Sequence, residues 1–196
     1  MSLIQIEAAG QETLEQMQKL LAGFPSGVEK ASRSAMSRAV SHLRTNSAKA
    51  IRERYDISAA NVKADENVTV RYSIQNGVQA TVAFAGRKFT LYKHGGASPG
   101  MPVSGVPARG HQMKSTSPAV FHGAFVARMS SGHVGIFERT GGMTSAGKEQ
   151  IQELMGSSVP QMLGSPAVAE KLSKEAMEKF EDRLKHEINA ILNGWR

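Results

Sequence analysis

Cysteine is absent from the 196 residues, which excludes a disulfide framework and any thiolate metal site. No uninterrupted apolar run is long enough to span a bilayer, so no membrane association is expected. The opening residues, MSLIQIEAAGQE, lack both a basic leading segment and an apolar core, which predicts no export signal and a protein made in a cytosol-like space. Aromatic residues are few, seven Phe, three Tyr and one Trp, and most fall at strand positions that read as core, a poor basis for stacking nucleic-acid bases. The most informative absence is local. Between Asn67 and Phe137 there is no Asp or Glu, while Arg71, Arg87, Lys88, Lys93, Arg109, Lys114 and Arg128 all lie there. Residues 1–66 carry 9 basic and 8 acidic groups and residues 138–196 carry 8 and 9, so the middle of the chain holds the entire net charge of +7. A cationic segment of this kind is suited to an anionic partner.

Length permits one sizeable domain, and the patterning divides it into three parts. Residues 1–66 read as helical. Leu14, Met17, Leu20 and Leu21 recur at helical spacing up to Gly23-Phe24-Pro25. Ser26 and Glu29 then have the spacing of a capping box, in which each side chain satisfies a backbone N–H at the other's end of the first turn. The helix that follows bears a stripe of Val28, Ala31, Ala35, Ala39, Leu43, Ala50, Ile51 and Tyr55, whose small residues allow a neighbouring backbone to come close. A short helix is predicted from Ser58.

Residues 67–139 form a basic β-rich core. Val68, Val70, Tyr72 and Ile74 alternate with polar residues, as do Val78, Ala80, Val82 and Phe84. A two-residue loop at Asn76-Gly77 would place these two apolar sets on opposite faces. A three-residue loop, Gln75-Asn76-Gly77, pairs 72 with 80, 70 with 82 and 68 with 84 on one face, and this is the predicted register. Lys88–Tyr92 is expected to add a third strand to the same sheet. Residues 94–117, with five glycines and three prolines, read as a long flexible loop, and Ala119–Met129 and His133–Arg139 as a second hairpin about Ser130-Ser131-Gly132.

After a turn-rich stretch at Thr140–Lys148, residues 149–196 are expected to be helical. Ser165 and Pro166 start a helix with an apolar stripe of Val168, Leu172, Ala176, Phe180, Leu184, Ile188 and Ile191. Ion pairs are predicted between Glu170 and Lys174, Glu175 and Lys179, and Glu181 and Lys185. The expected fold is α+β, a small antiparallel sheet of two hairpins packed against long N- and C-terminal helices, in a single domain spanning 1–196.

Catalytic patterns are missing. The six histidines, His42, His94, His111, His122, His133 and His186, show no metal-ligand spacing, and a meeting of His122 with His133 across the second hairpin would be an ordinary cross-strand contact. The carboxylates Asp56, Asp65 and Glu66 read as solvated loop groups. The sheet region offers no carboxylate for acid–base work, and the glycine-rich loop lacks the spacing of a phosphate cradle. No enzyme, metal or cofactor is predicted. The cations Arg87, Lys88, Lys93, Arg109 and Lys114 are the candidate contacts with DNA or with a protein neighbour.

From Phe121 to Leu163 the residues resemble the phage minor tail protein Z family, the tail completion proteins. The resemblance rests on Gly123, Ala124, Phe125 and Arg128 in one strand, Gly132 in the turn, Phe137 and Arg139 in the next strand, and Gly156 and Pro160 in the later I-x-E-L-x-G-x-S-V-P element. Gln150 stands where such proteins usually show a proline before the isoleucine. The resemblance implies a structural, non-enzymatic part of the virion tail, present in the host cytoplasm during assembly. It also implies a place at the head-proximal end of the tail, a ring of six subunits, and the tail terminator, tail tube or neck proteins as neighbours, with genomic DNA as a further partner. A DNA-binding module without sequence preference is the alternative reading.

Overall fold

A computed structural model of the chain describes residues 2–9, 11–24, 26–64, 67–73, 78–95, 97–99, 102, 103 and 105–194. In chain order its elements are β1 (Ser2–Ala9), α1 (Gln11–Leu20), α2 (Gly27–Arg54), α3 (Ala59–Ala64), β2 (Asn67–Ser73), β3 (Val78–Ala85), β4 (Lys88–Thr90), β5 (Ala108–Gly110), β6 (Ala119–Phe121), β7 (Ala124–Arg128), β8 (Val134–Met143), β9 (Glu149–Glu153), β10 (Met155–Ser158), α4 (Val159–Leu163) and α5 (Pro166–Leu192). Helices at both ends enclose small antiparallel sheets in the sequence, the expected α+β class. The chain folds into two compact units. The first comprises residues 1–50, 67–85 and 163–196, the second residues 51–66 and 86–162.

In the first unit the alternation of β2 and β3 sets the sheet. Val68 lies opposite Phe84, Val70 opposite Val82 and Tyr72 opposite Ala80, the predicted register, while Ile74 and the closing loop Gln75-Asn76-Gly77 lie outside the described residues. The third strand is β1, giving the antiparallel order β1-β3-β2 with Ile4 opposite Val82. Lys88–Tyr92, expected in that place, belongs to the other unit. Central β3 buries Val78, Ala80, Val82 and Phe84, and burying side chains of this size is worth about 1.5–3 kcal/mol each for the larger ones.

Helix α2 hides its alanine stripe, with Ala31, Ala35, Ala39 and Leu43 fully buried. Its start differs from a capping box. Ser26 has a left-handed backbone, φ 59°, where a cap residue needs an extended one, and Glu29 turns outward to Arg33 at 3.0 Å. Helix α5 packs against β1 and buries Val168, Leu172, Ala176, Phe180, Leu184 and Ile191 as the stripe predicts. The three predicted ion pairs do not form. Pairs on this helix include Lys171 with Glu175 at 3.9 Å and Arg183 with Glu187 at 2.6 Å. Glu187, only 1 % exposed, also accepts a hydrogen bond of 2.7 Å from the Ser34 hydroxyl of α2.

The second unit joins β4 to β10, β5 to β6, and β7, β8 and β9 in that order, all antiparallel. Its core is Leu91, Ala108, Ala124, Val126 and Ile136, ringed by Tyr92, Phe121, Val134 and Leu154. The hairpin about Gly132 is as expected, with Phe125 opposite Phe137. Four sequence expectations are corrected here. The stretch 94–117 contains a strand, β5, held by β6 and by a bridge from Ser98 to Arg109, because Ala108 is drawn fully into the core. The stretch 119–129 is two strands, broken where Gly123 takes φ 83°. Residues 149–158, read as the start of a helical region, are strands, and β8 runs on through the supposed turn to Met143. There the Gly141-Gly142 pair forms a bulge, with Gly141 at φ 77°, and the Thr144–Lys148 turn closes the hairpin through Thr144 N–H to Lys148 C=O at 2.7 Å.

Candidate functional site

One face of the β7-β8-β9 sheet packs on the core and the other carries three of the motif residues, Phe125, Phe137 and Arg139. Phe125 and Phe137, cross-strand partners, have ring centroids 6.4 Å apart, and the edge of His133 meets Phe137 at 6.3 Å. The Arg139 guanidinium lies over Phe125, 4.7 Å from the ring centroid, and its Nε donates to Glu149 at 2.6 Å. His133 is 2.7 Å from Glu153 and so pairs across to β9, not with His122. Ala124 is buried, Arg128 is exposed at the end of β7, Gly132 supplies φ 85° in the turn, and Pro160 is buried in α4. These positions serve strand pairing, turns and packing.

Gly156 leads to a second cluster, built around His94. This ring is 2 % exposed, with Phe89 edge-on at 6.3 Å. A Cβ at residue 156 would lie 2.5 Å from His94 Nε2, so only glycine allows the backbone to pass over the imidazole. Four chain segments are tied together here. Asp56 N–H donates to Gln112 C=O at 2.9 Å, Gly95 N–H to Asp56 C=O at 2.7 Å, and both the N–H and hydroxyl of Ser157 to Gln112 Oε1 at 2.8 and 2.7 Å. His111 Nε2 is 3.0 Å from Asp56 Oδ2.

Neither ring nitrogen of His94 has a hydrogen bond of good geometry. Burial lowers its pKa below the ordinary histidine value; the nearby Ser157 backbone and the Asp56 charge oppose that shift and His111 adds to it. The site therefore favours a neutral imidazole. A hollow of about 400 Å³ lies alongside, bordered by Tyr55, His111, Gln112, Phe121 and Ser157. Ser157, on its border, is engaged by Gln112 and is not paired with a base that would activate it. Among the described residues no group of three or more His, Asp or Glu could hold a metal ion.

The cationic candidates all belong to the second unit and all are exposed: Arg87 before β4, Lys88 on β4, Lys93 with its ammonium 5.9 Å from the Phe89 ring centroid, Arg109 on β5, and Lys114 beyond it. Arg71, from the same acid-free stretch, lies on β2 of the first unit. Counted by unit, the second holds 11 basic and 7 acidic residues, so its excess is +4, and the remaining +3 belongs to the first. Contiguity in sequence overstated how far the charge is concentrated.

Sequence reasoning missed the cluster of Asp56, His94, His111 and Gln112. Its members are separated by up to 56 positions and share no period; the one local hint is Gly95, where a Cβ would collide with the Asp56 carboxylate. Asp65 and Glu66, grouped with Asp56 in the sequence, lie outside the described residues. Among the described residues no helix is long and apolar enough to cross a membrane.

No curated protein and no solved structure matches the chain. The model of the prophage minor tail protein Z family matches residues 10–194, which takes in both units and every motif residue named above. The chain belongs to the prophage minor tail protein Z family and is a phage minor tail protein, a component of the virion tail.

Proposed function

We propose that this minor tail protein completes the tail at its head-proximal end as a structural ring subunit, with tail terminator, tail tube or neck proteins as neighbours. One observation carries the non-enzymatic part of this reading. The motif residues from Gly123 to Pro160 are spent on turns, cross-strand pairs and close backbone packing, and none presents an activated nucleophile or an acid–base pair. A ring follows from repeated head-to-tail contacts between identical subunits when their rotation closes, and six copies would match the symmetry of a tail. Assembly takes place in the host cytoplasm.

The test is imaging of tails from cells in which this chain is deleted and then restored. The reading expects defective head joining and missing density at the head-proximal end on deletion, both recovered on restoration. Normal tails and normal head joining without the chain would refute it.

A second reading, contact with the genome end, is favoured by the exposure of Lys88, Lys93, Arg109 and Lys114 in a unit with excess positive charge. Replacing these four with Gln should leave the far-UV spectrum unchanged while weakening DNA binding and its salt dependence. DNA affinity equal to that of the parent protein would remove DNA from the list of partners.

A further inference from the structure

The chain carries several strand edges with no partner among the described residues, and two of them, of unlike charge, are the longest that bear an exposed large apolar group. One is β2, the outer strand of β1-β3-β2; the opposite edge, β1, is packed by α5. The other is β9, the outer strand of β7-β8-β9. A strand edge displays a row of free N–H and C=O groups, and natural proteins guard such edges unless they are used. Neither edge is guarded by proline or by a bulge in its own backbone: β2 reads NVTVRYS and β9 reads EQIQE. Large apolar groups lie exposed beside both, Tyr72 at 52 % on β2, Ile151 at 40 % on β9, and Met143 at 62 % on the strand next to β9.

Charge is compatible with one match. Arg71 is the only charged residue of β2, and β9 carries Glu149 and Glu153, held within their own sheet by Arg139 and His133, on the same face as Ile151. Antiparallel pairing with Arg71 opposite Ile151 would put Arg71 diagonally between the two carboxylates, with Ser73 opposite Glu149 and Thr69 opposite Glu153. This direction has a second merit. It carries the tip of the β8–β9 hairpin toward the Ser73 end of β2, where Tyr72 and Ser73 border a groove of about 880 Å³ that also includes Val28 and Met36. Met143, the cross-strand partner of Glu149, would arrive at its mouth. Parallel pairing would point the tip away.

We infer that β9 of one copy adds to β2 of the next, in this antiparallel register, and that the exposed Met143 end of the β8–β9 hairpin seats in the neighbour's groove. Because the two surfaces are different, the contact is head-to-tail and can repeat around a ring, so the inference rests on the self-assembly reading and supplies its joint.

The absence of cysteine allows a clean test in the full-length protein. Arg71→Cys and Ile151→Cys together, oxidised in assembled tails, should give a ladder of disulfide-linked multimers on a non-reducing gel. Each single variant should give none, since a head-to-tail contact never brings two copies of one position together. Thr69→Cys with Glu153→Cys is the second pair, used with the first after far-UV circular dichroism shows that each variant is folded. A lysine-reactive cross-linker applied to the parent tails reports self-association independently. Multimers with the lysine reagent but no ladder from either cysteine pair would overturn this joint and leave the ring. No multimers with either reagent would overturn the ring reading and the joint together.

Discussion

Gly156→Ala tests whether the His94 cluster is as tightly closed as the geometry states. The added Cβ would lie 2.5 Å from Nε2 and 2.6 Å from Cδ2 of His94, and 3.4 Å from Cδ of Gln112. Optimal contacts between such atoms are about 3.5–4.0 Å, so the ring or the strand must move by about 1 Å. The ring has little freedom, being 2 % exposed, with Phe89 beside it and a backbone anchored to Leu91 and Ile57. Overpacking of this kind costs about 1–3 kcal/mol, and 2 kcal/mol corresponds to a Tm loss of roughly 4–8 °C for a chain of this length. Urea unfolding followed by circular dichroism measures it. His94→Ala serves as the control, because without the ring only the near-ordinary contact with Gln112 remains. In that background Gly156→Ala should cost far less, giving a coupling of about 1–2 kcal/mol between the two positions. Additivity of the two substitutions within about 0.5 kcal/mol would refute the packing argument.

The depressed pKa of His94 makes stability depend on pH. Above about pH 6.5, the unperturbed histidine value, both states hold the ring neutral and the full stability is present. As the pH falls below that value the unfolded chain binds the proton first, so stability declines down to the folded-state pKa, and a melting series between pH 7.5 and 5 should lose part of this slope in His94→Gln. Glu187→Ala leaves Arg183 without its partner in a largely buried setting and should cost about 3–5 kcal/mol by urea unfolding, whereas Glu187→Gln, still able to accept from Ser34, should cost less. Arg139→Ala removes a guanidinium that is more than half exposed over Phe125 and beside Glu149, so a loss under about 1 kcal/mol is expected and a loss above 2 kcal/mol would show a role in the fold not visible in its contacts.

Periodic elements were legible and their partners were not. The stripes of α2 and α5 and the register of β2 on β3 follow from side chains that must share one face, a constraint written within a few residues of each position. Phe89 and Leu91 show the limit. Their alternation announces a strand, but nothing local says which sheet receives it, and β10 claims Lys88–Thr90 from 65 to 70 positions away. The N-terminal alternation of Ile4-Gln5-Ile6-Glu7 was an available signal for β1, obscured by the shortness of the run. At Gly141-Gly142 the composition of a turn sits inside a strand, because a bulge uses the same backbone freedom that a turn does. The motif from Gly123 to Arg139 marked β7 and most of β8, but β9 and β10 were read as helical. The Asp56, His94, His111 and Gln112 cluster was beyond reach, since buried polar partners are chosen by the finished fold and leave no period in the sequence.

The interleaved course of the chain also orders events in time. The second unit is complete once residue 162 has been made, whereas the first must wait for α5, residues Pro166–Leu192, the helix that packs against β1. At about 5–20 residues per second that helix takes about 1–5 s to synthesise. During this interval a growing chain already has the hairpin of β8 and β9 but not the finished unit that bears β2. In the proposed joint, β2 would thus be presented by a finished unit only after α5 has been made.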